Sequence, residues 1–368
     1  MDEALLFHPF LTYGGKEMSK LSEVDVNIKV GTTLNASDIK FYNSLEKPFS
    51  VHGVFYADGM FRRLPEDVAK SVSPGVEYVH NLSAGGRIRF ATNSPYVAIS
   101  AKMPEPKVMS RMTATGTAGF DLYADNVCIK TFVPPDGIEK MDGYESLIEL
   151  PCDGAMREIT INMPLYSIVT SLMIGLKDGS FVAQAKPYVN EKPIVYYGSS
   201  ITQGGCATRP GMTYESIISR KLNCDFISLG FAGNARAEDE IIEYVKELDM
   251  SMFVYDYDHN APNLEHLMAT HEKMFKAVRE AKGDIPIIIM PRPKHNLDPE
   301  EEKRKLVIER TYNNAVASGD KNVYYIDNKA LTALCGDDGM VDGCHPTDLG
   351  FFSMASAVID VIEKNNLI

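Results

Sequence analysis

Ile194-Val195-Tyr196-Tyr197-Gly198-Ser199-Ser200-Ile201-Thr202-Gln203-Gly204 decides how the second half of this chain is read. Its apolar start lacks period-2 alternation, which reads as a short strand buried on both faces, the mark of a parallel sheet. The glycines and hydroxyl residues that follow end the strand in a turn. Downstream come four more candidate strands: Phe226-Ile227-Ser228-Leu229, Met252-Phe253-Val254-Tyr255, Ile285-Pro286-Ile287-Ile288-Ile289 and Val323-Tyr324-Tyr325-Ile326. Helical segments separate them. The clearest is expected over about 299–317, with Asp298 as N-cap, Pro299 at the first position and Glu300, Glu301 and Glu302 at the positive end of the dipole. The last helix is expected to start at an N-cap on Thr347, with Leu349, Phe352, Ala355, Val358, Ile359 and Ile362 at helical spacing. Strands alternating with helices imply an α/β domain, a parallel sheet covered on both faces in three layers.

Upstream, from about 20 to 176, the pattern changes. Short alternating runs such as Arg87-Ile88-Arg89-Phe90, Tyr96-Val97-Ala98-Ile99-Ser100 and Glu158-Ile159-Thr160-Ile161-Asn162 are punctuated by Gly85-Gly86, Asn93-Ser94-Pro95 and Pro134-Pro135-Asp136-Gly137. Many short strands with turn signals argue for a β-sandwich, jelly-roll-like in type. The expected division is a sandwich domain over 1–180 and an α/β domain over 190–368, with 177–192 as the linker.

A length of 368 residues agrees with two domains. The formal net charge of -13, without a basic block, argues against a nucleic-acid or anionic-membrane partner. No apolar run approaches the roughly 18 residues of a membrane span. The start, Met1-Asp2-Glu3-Ala4, lacks the basic and apolar regions of a secretory signal, so a cytoplasmic protein is expected. The six cysteines (Cys128, Cys152, Cys206, Cys224, Cys335, Cys344) form no CxxC pair. Cys335 and Cys344 flank one short loop; a bridge between them and two reduced thiols are both open readings, with thiols expected in the cytoplasm. The absence of tryptophan argues against a pure lectin, since its face is a common sugar platform.

Ligands of open α/β sheets sit beyond the carboxyl ends of the strands. After the first strand come Ser199 and Ser200 between glycines, a turn that can expose a hydroxyl. After the second comes Gly230-Phe231-Ala232-Gly233-Asn234, where glycine allows a free amide. After the third comes Asp256-Tyr257-Asp258-His259-Asn260-Ala261. Its spacing suggests a calcium loop, but Ala261 and Leu267 stand where that loop needs Gly and Glu. Asn260 can instead donate to an oxyanion or cap the next helix. After the last strand come Asp342-Gly343-Cys344-His345, where a carboxylate three residues before a histidine can orient the ring as a base or form a surface ion pair. Each block has a plain structural reading by itself. Together they supply a nucleophile, oxyanion donors and an oriented base at one end of the sheet. His266 and His271 are five residues apart, which is not a zinc spacing, and neither metal nor cofactor is expected.

In these four blocks the second half resembles the SGNH (GDSL) hydrolase superfamily. Gly198–Gly204 matches the family's GDSIT-type block with Ser200 as nucleophile, and Gly230–Asn234 the second block with Gly233 as backbone donor. Asp258–Ala261 takes the place of GxND with Asn260 as side-chain donor, and Asp342–His345 matches DxxH. Ser199 stands where the family has Asp, and Asp258 and Ala261 where it has Gly and Asp. Gly119-Phe120-Asp121-Leu122-Tyr123, with Phe61-Arg62-Arg63-Leu64-Pro65 and Gly85–Phe90, resembles the GxDLY β-sandwich domain that precedes such hydrolase domains.

The resemblance implies a serine esterase with a Ser200–His345–Asp342 triad and an oxyanion hole of the Ser200 and Gly233 amides and the Asn260 side chain. Members with a leading β-sandwich resemble carbohydrate esterases that deacetylate plant polysaccharides such as mannan and xylan. The expected substrate is thus an acetylated oligosaccharide or another small ester. A general short-chain esterase or thioesterase and a non-catalytic glycan-binding protein are the rivals, and a homo-oligomer is compatible with the sequence. Arg236, Arg292 and Tyr257 are candidates to line the site, against plain readings as salt-bridge or core residues.

Overall fold

The computed structural model describes Val30, Leu34 and residues 36–151 and 153–368; Cys152 lies outside the described residues. The first half is a pair of antiparallel sheets. One has four strands in the order β1 (Ile39–Asn43), β11 (Ser171–Lys177), β6 (Tyr96–Lys102) and β9 (Gly143–Glu149). The other has six: β12 (Val182–Ala183), β5 (Arg87–Thr92), β10 (Arg157–Asn162), β7 (Phe120–Ala124) and β8 (Val127–Phe132), with β2 (Ser50–His52) also on β5. Alternate residues of both sheets, among them Ile88, Phe90, Val97, Ile99, Ile159 and Ile174, meet in one buried core, as the alternating sequence requires. β3 (Phe55–Ala57) and β4 (Met60–Arg62) form a separate hairpin.

The second half is built on a five-stranded sheet, parallel in every pair. Its order is β14 (Cys224–Gly230), β13 (Asn190–Gly198), β15 (Met252–Asp256), β16 (Ile287–Ile289), β17 (Val323–Tyr325). Ile194 to Tyr197 are fully buried, because β13 is central and covered on both faces. The strand order reverses between β13 and β15, so the crevice for a ligand opens beyond their carboxyl ends. The helix Pro299–Ala317 starts as read from the sequence: Asp298 accepts from the Glu300 and Glu301 amides, and Glu301 completes a capping box.

Three local expectations change. The final helix, Asp348–Asn365, has its N-cap on Thr347, but Leu349 and Phe352 face solvent, at 50% and 48% exposure. Its buried face is Phe351, Met354, Ala355, Val358, Ile359 and Ile362, because Phe351 stacks on Tyr214 and fixes the helix's rotation. The first half also carries three short helices that the alternating pattern did not announce, and two of them are α1 (Glu66–Val72) and α2 (Pro74–Val79). Their Ala69, Val76 and Val79, with Leu64, Leu82, Leu165 and Tyr166, pack into the same core as β13. The stretch 177–192 is ordered: Val182 and Ala183 pair with β5, Tyr188 is buried, and β13 already begins at Asn190. Among the described residues no helix is long and apolar enough to cross a membrane.

Candidate active site

The serine turn sits on the ends of β13 and β14 because two glycines leave room for it. A Cβ on Gly198 would lie 2.1 Å from Thr202 Oγ1 and 2.4 Å from the Asp256 carbonyl oxygen, and one on Gly230 would lie 2.2 Å from the Gln203 nitrogen. The turn closes with Gln203 N–H donating to Ser199 O at 3.1 Å and Gly205 N–H to Ser200 O at 2.6 Å. The two adjacent serines are held differently. Ser199 is buried, and its Oγ accepts from the Ile201 amide at 3.1 Å. Ser200 Oγ lies 2.9 Å from His345 Nε2.

His345 is oriented from its other nitrogen. Its Nδ1 is 3.0 and 3.2 Å from the two Asp342 oxygens. Asp342 Oδ1 also accepts from the His345 amide at 2.8 Å and the Cys344 amide at 3.1 Å, and Oδ2 accepts from Arg111 of the sandwich half. Burial alone would raise the Asp342 pKa. The His345 amide, the Arg111 guanidinium and the imidazole outweigh it and hold the carboxyl well below its ordinary range. Asp342 therefore carries its charge at neutral pH. An imidazole so placed can take the proton of a serine hydroxyl and return it to a leaving group.

Three candidate donors stand on the turn and on the loops after the next two strands of the sheet. Gly233 has φ +72°, a conformation glycine reaches freely, with no heavy atom within 4 Å of the place its Cβ would take. Asn260 Oδ1 accepts from the Ala235 amide at 3.3 Å, which leaves its NH2 group to donate. The Ser200 and Gly233 amides and that NH2 have no hydrogen-bond partner among the described residues.

The departures from the family pattern have structural reasons. Asp258 is a buried anchor: Arg292 reaches it through Nε at 2.8 Å and Nη2 at 3.0 Å, and Arg304 through Nε at 2.9 Å. Arg304 also donates to the Ala261 carbonyl at 2.8 Å, so two guanidinium groups hold the loop that carries Asn260. Arg292 and Tyr257 are held by structural partners, in line with the plain reading of each. Arg292 is spent on Asp258 and Glu301, while Tyr257 is buried with its hydroxyl on the Arg236 carbonyl at 3.0 Å. Arg236 is exposed, without an ion pair among the described residues. His259 is pushed down to about 4, first by burial and then by Arg292, and its neutral ring faces Cys344 Sγ at 3.5 Å. Cys335 and Cys344 are both free thiols.

Several residues support the site in roles that the sequence did not reveal, although Asp121 and Arg63 stand in the motifs quoted for the GxDLY domain. Besides Arg111, the sandwich half places the Tyr166 hydroxyl 3.4 Å from the Ser200 carbonyl oxygen. Its Asp121 accepts from Arg209 at 2.9 Å, the Gly211 amide at 2.7 Å and Asn162 at 2.7 Å, so the GxDLY aspartate anchors the chain leaving the serine turn. Arg63 is 1% exposed and donates to the carbonyls of Leu82 (2.8 Å), Val79 (2.5 Å) and Gly230. Lacking a carboxylate partner, its guanidinium is lowered to about 10, mainly by burial.

Asp256 lies beneath the turn. Thr202 donates to its Oδ2 at 3.0 Å, while Oδ1 has no partner, and burial pushes the carboxyl up to about 8. It is protonated in the folded chain at neutral pH and ionised in the unfolded one. Its contribution to stability is therefore full below the unfolded carboxyl value of about 3.9 and falls as pH rises towards 8. Asp256→Asn is expected to remove that slope, gaining on the parent by on the order of 1 kcal/mol per pH unit between pH 5 and 8. Urea unfolding at several pH values checks this; parallel stability profiles would refute it.

Comparison with known proteins decides what this arrangement belongs to. Residues 191–363 match the GDSL-like lipase/acylhydrolase family, and residues 39–182 match the GxDLY N-terminal domain of SGNH-hydrolase-type esterases. The chain is a two-domain SGNH/GDSL-family acylhydrolase. Among solved structures, a protein described as a GDSL-like lipase from Bacteroides ovatus is 27% identical to this SGNH/GDSL chain, with a TM-score of 0.78 over 89% of it and 97% of the other. A salicylyl-acyltransferase from a tetracycline biosynthetic pathway is 18% identical, with a TM-score of 0.72 over 90% and 99%. An acetyl xylan esterase from the rumen bacterium Butyrivibrio proteoclasticus is 12% identical, with a TM-score of 0.58 over 89% and 100%. These last two share the SGNH/GDSL fold. No curated protein matches the chain.

Proposed function

We propose that this protein is a serine esterase that removes O-acetyl groups from plant-derived oligosaccharides of the manno- or xylo- series. The observation that carries the chemistry is the run from Ser200 Oγ through His345 to Asp342, at 2.9 and 3.0 Å, beside three unpaired donors. Ser200 attacks the acetyl carbonyl as His345 takes its proton. The Ser200 and Gly233 amides and the Asn260 NH2 stabilise the oxyanion. His345 then protonates the departing sugar oxygen as its bond to the acetyl carbon breaks, and water, activated by the same imidazole, releases acetate from Ser200. Asp342 holds the imidazole tautomer and balances the imidazolium charge.

The sugar part of the reading draws on the acetyl xylan esterase and on a family two carbohydrate esterase from Clostridium thermocellum solved with cellohexaose, which share the fold (TM-scores 0.58 and 0.55). The test is acetate release from acetylated manno- and xylo-oligosaccharides, with Ser200→Ala in parallel. Release that disappears in the variant is expected; release from simple acyl esters alone would replace the glycan by a general short-chain ester. The acyltransferase neighbour, with its higher TM-score of 0.72, favours one second reading, transfer to an alcohol other than water. Acetyl recovered on an added alcohol rather than as free acetate would select it.

Asn260→Ala is expected to keep the fold and lose about 100- to 1000-fold in kcat, the usual effect of deleting one oxyanion donor. Steady-state kinetics check this, and turnover at the parent rate would remove Asn260 from the oxyanion hole.

A further inference from the structure

At the opposite end of the parallel sheet the two halves enclose a small cavity. Residues 87 and 89 of β5 share one face of their strand, and β2 lies alongside, with Ser50 opposite Arg89 and His52 opposite Arg87. The two arginines are used differently. Arg87, 2% exposed, is fully engaged: it donates to Asp225, the Phe226 carbonyl at 2.9 Å, the Gly85 carbonyl at 2.5 Å and the Tyr188 hydroxyl at 3.2 Å. Arg89, 8% exposed, makes no side-chain hydrogen bond or ion pair with any described residue, and its Nε is buried without a partner. Its guanidinium lies over the Tyr188 ring, 3.9 Å from the centroid.

Arg89 lines a cavity of about 150 Å³ together with Ser50, His52, Lys186 and Tyr188. The acidic residues along the same wall are Asp225 and Glu191. Asp225 is already matched, by Arg87 and by His52 Nδ1 at 2.8 Å, while Glu191 is exposed at the rim. The cavity thus keeps the charges of Arg89 and Lys186 to offer. Ser50, His52 and Asp225 repeat the residue types of the catalytic relay. Ser50 Oγ, however, donates to the Arg89 carbonyl at 3.2 Å, and Asp225 is shared with Arg87, so the group is arranged for holding rather than attacking. A buried guanidinium without a counter-charge is unfavourable, and its planar fork suits the oxygens of a phosphate.

We propose that this seam cavity binds a phosphate group through Arg89, supported by Lys186 and the Ser50–His52 edge. The group is either free phosphate or the phosphate of a small phosphorylated sugar. Asp225 and Gly230 lie five residues apart on β14, which separates this cavity from the serine turn by about 16 Å. The bound anion would join β2, β5, β14 and the segment around Tyr188, and so stabilise the contact between the two halves.

The test is thermal unfolding and calorimetric titration of the full chain with inorganic phosphate and with a hexose 6-phosphate, against chloride and acetate at equal ionic strength. Phosphate-specific stabilisation is expected, weakened at least ten-fold in affinity by Arg89→Met and about three-fold by Lys186→Ala, and unchanged in Ser200→Ala. Tighter binding of the hexose phosphate would assign the group to a sugar; equal or weaker binding would assign it to the free ion. Arg89→Met removes an unpaired buried charge, so its melting temperature without ligand is not expected to fall, and Lys186→Ala reads the site independently. No phosphate-specific response in the parent, or an equal response in both variants, would overturn the proposal.

Discussion

Ser200→Ala is expected to lower ester hydrolysis by about 10⁴- to 10⁶-fold with little change in stability. The hydroxyl is half-buried and its one polar contact is His345 Nε2 at 2.9 Å, so its loss leaves no buried group without a partner beyond an imidazole that reaches solvent. Activity falls because no other group stands where the nucleophile must. Ser199 is one residue away, but its side chain is turned into the loop on the Ile201 amide. His345→Ala is expected to cost about as much, and the double variant no more than either alone, since the two residues act as one unit. Residual turnover in all three would come from the oxyanion donors. Single-turnover and steady-state rates on one acyl ester check this. A Ser200→Ala variant within ten-fold of the parent would refute it.

Arg63→Met is expected to destabilise the chain by about 3 kcal/mol or more and to lower kcat as well. Arg63 and Arg89 are both buried arginines without a carboxylate partner among the described residues, but they differ in what they hold. Arg63 satisfies the carbonyls of Val79 and Leu82 in the sandwich half and of Gly230 at the end of β14. The Val79 carbonyl keeps the Leu82 amide at 3.2 Å, and each acceptor left unpaired costs about 1–3 kcal/mol, offset in part because the charge no longer has to be buried. Gly230 leads into the turn that presents the Gly233 amide, and Ala232 of that turn donates to Gln203, which Arg63 also approaches at 3.5 Å. Removing Arg63 therefore loosens both the seam between the halves and the oxyanion donor. Chemical denaturation with parallel kinetics checks the prediction; unchanged stability with Arg63→Met would show that water takes over the guanidinium's partners.

Much of this was legible in the sequence because its causes are local. Ile194–Tyr197 shows its double burial as an unbroken apolar run, and Asp298-Pro299 followed by three glutamates spells a helix start within five positions. The site blocks stand out for a related reason: three follow strand ends and the fourth, Asp342–His345, lies in the loop before the last helix, each with a glycine, hydroxyl or carboxylate that has a steric or chemical reason to be there. What stayed hidden depends on partners far away in the chain. Arg111 is 231 positions from Asp342, and no feature of Met109-Ser110-Arg111-Met112 distinguishes it from any surface arginine. The Asp258 clamp was read as a departure because its partners, Arg292 and Arg304, arrive from beyond the next strand. The rotation of the last helix failed for a related reason: Leu349 and Phe352 fit the helical period, but packing of Phe351 on Tyr214 chose the neighbouring face.

The most direct test of the account is labelling of the whole chain with a serine-reactive fluorophosphonate, followed by peptide mass mapping. The account expects one adduct, on Ser200, absent from Ser200→Ala and strongly slowed in His345→Ala. An adduct on Ser199, or no adduct on a folded chain, would contradict it.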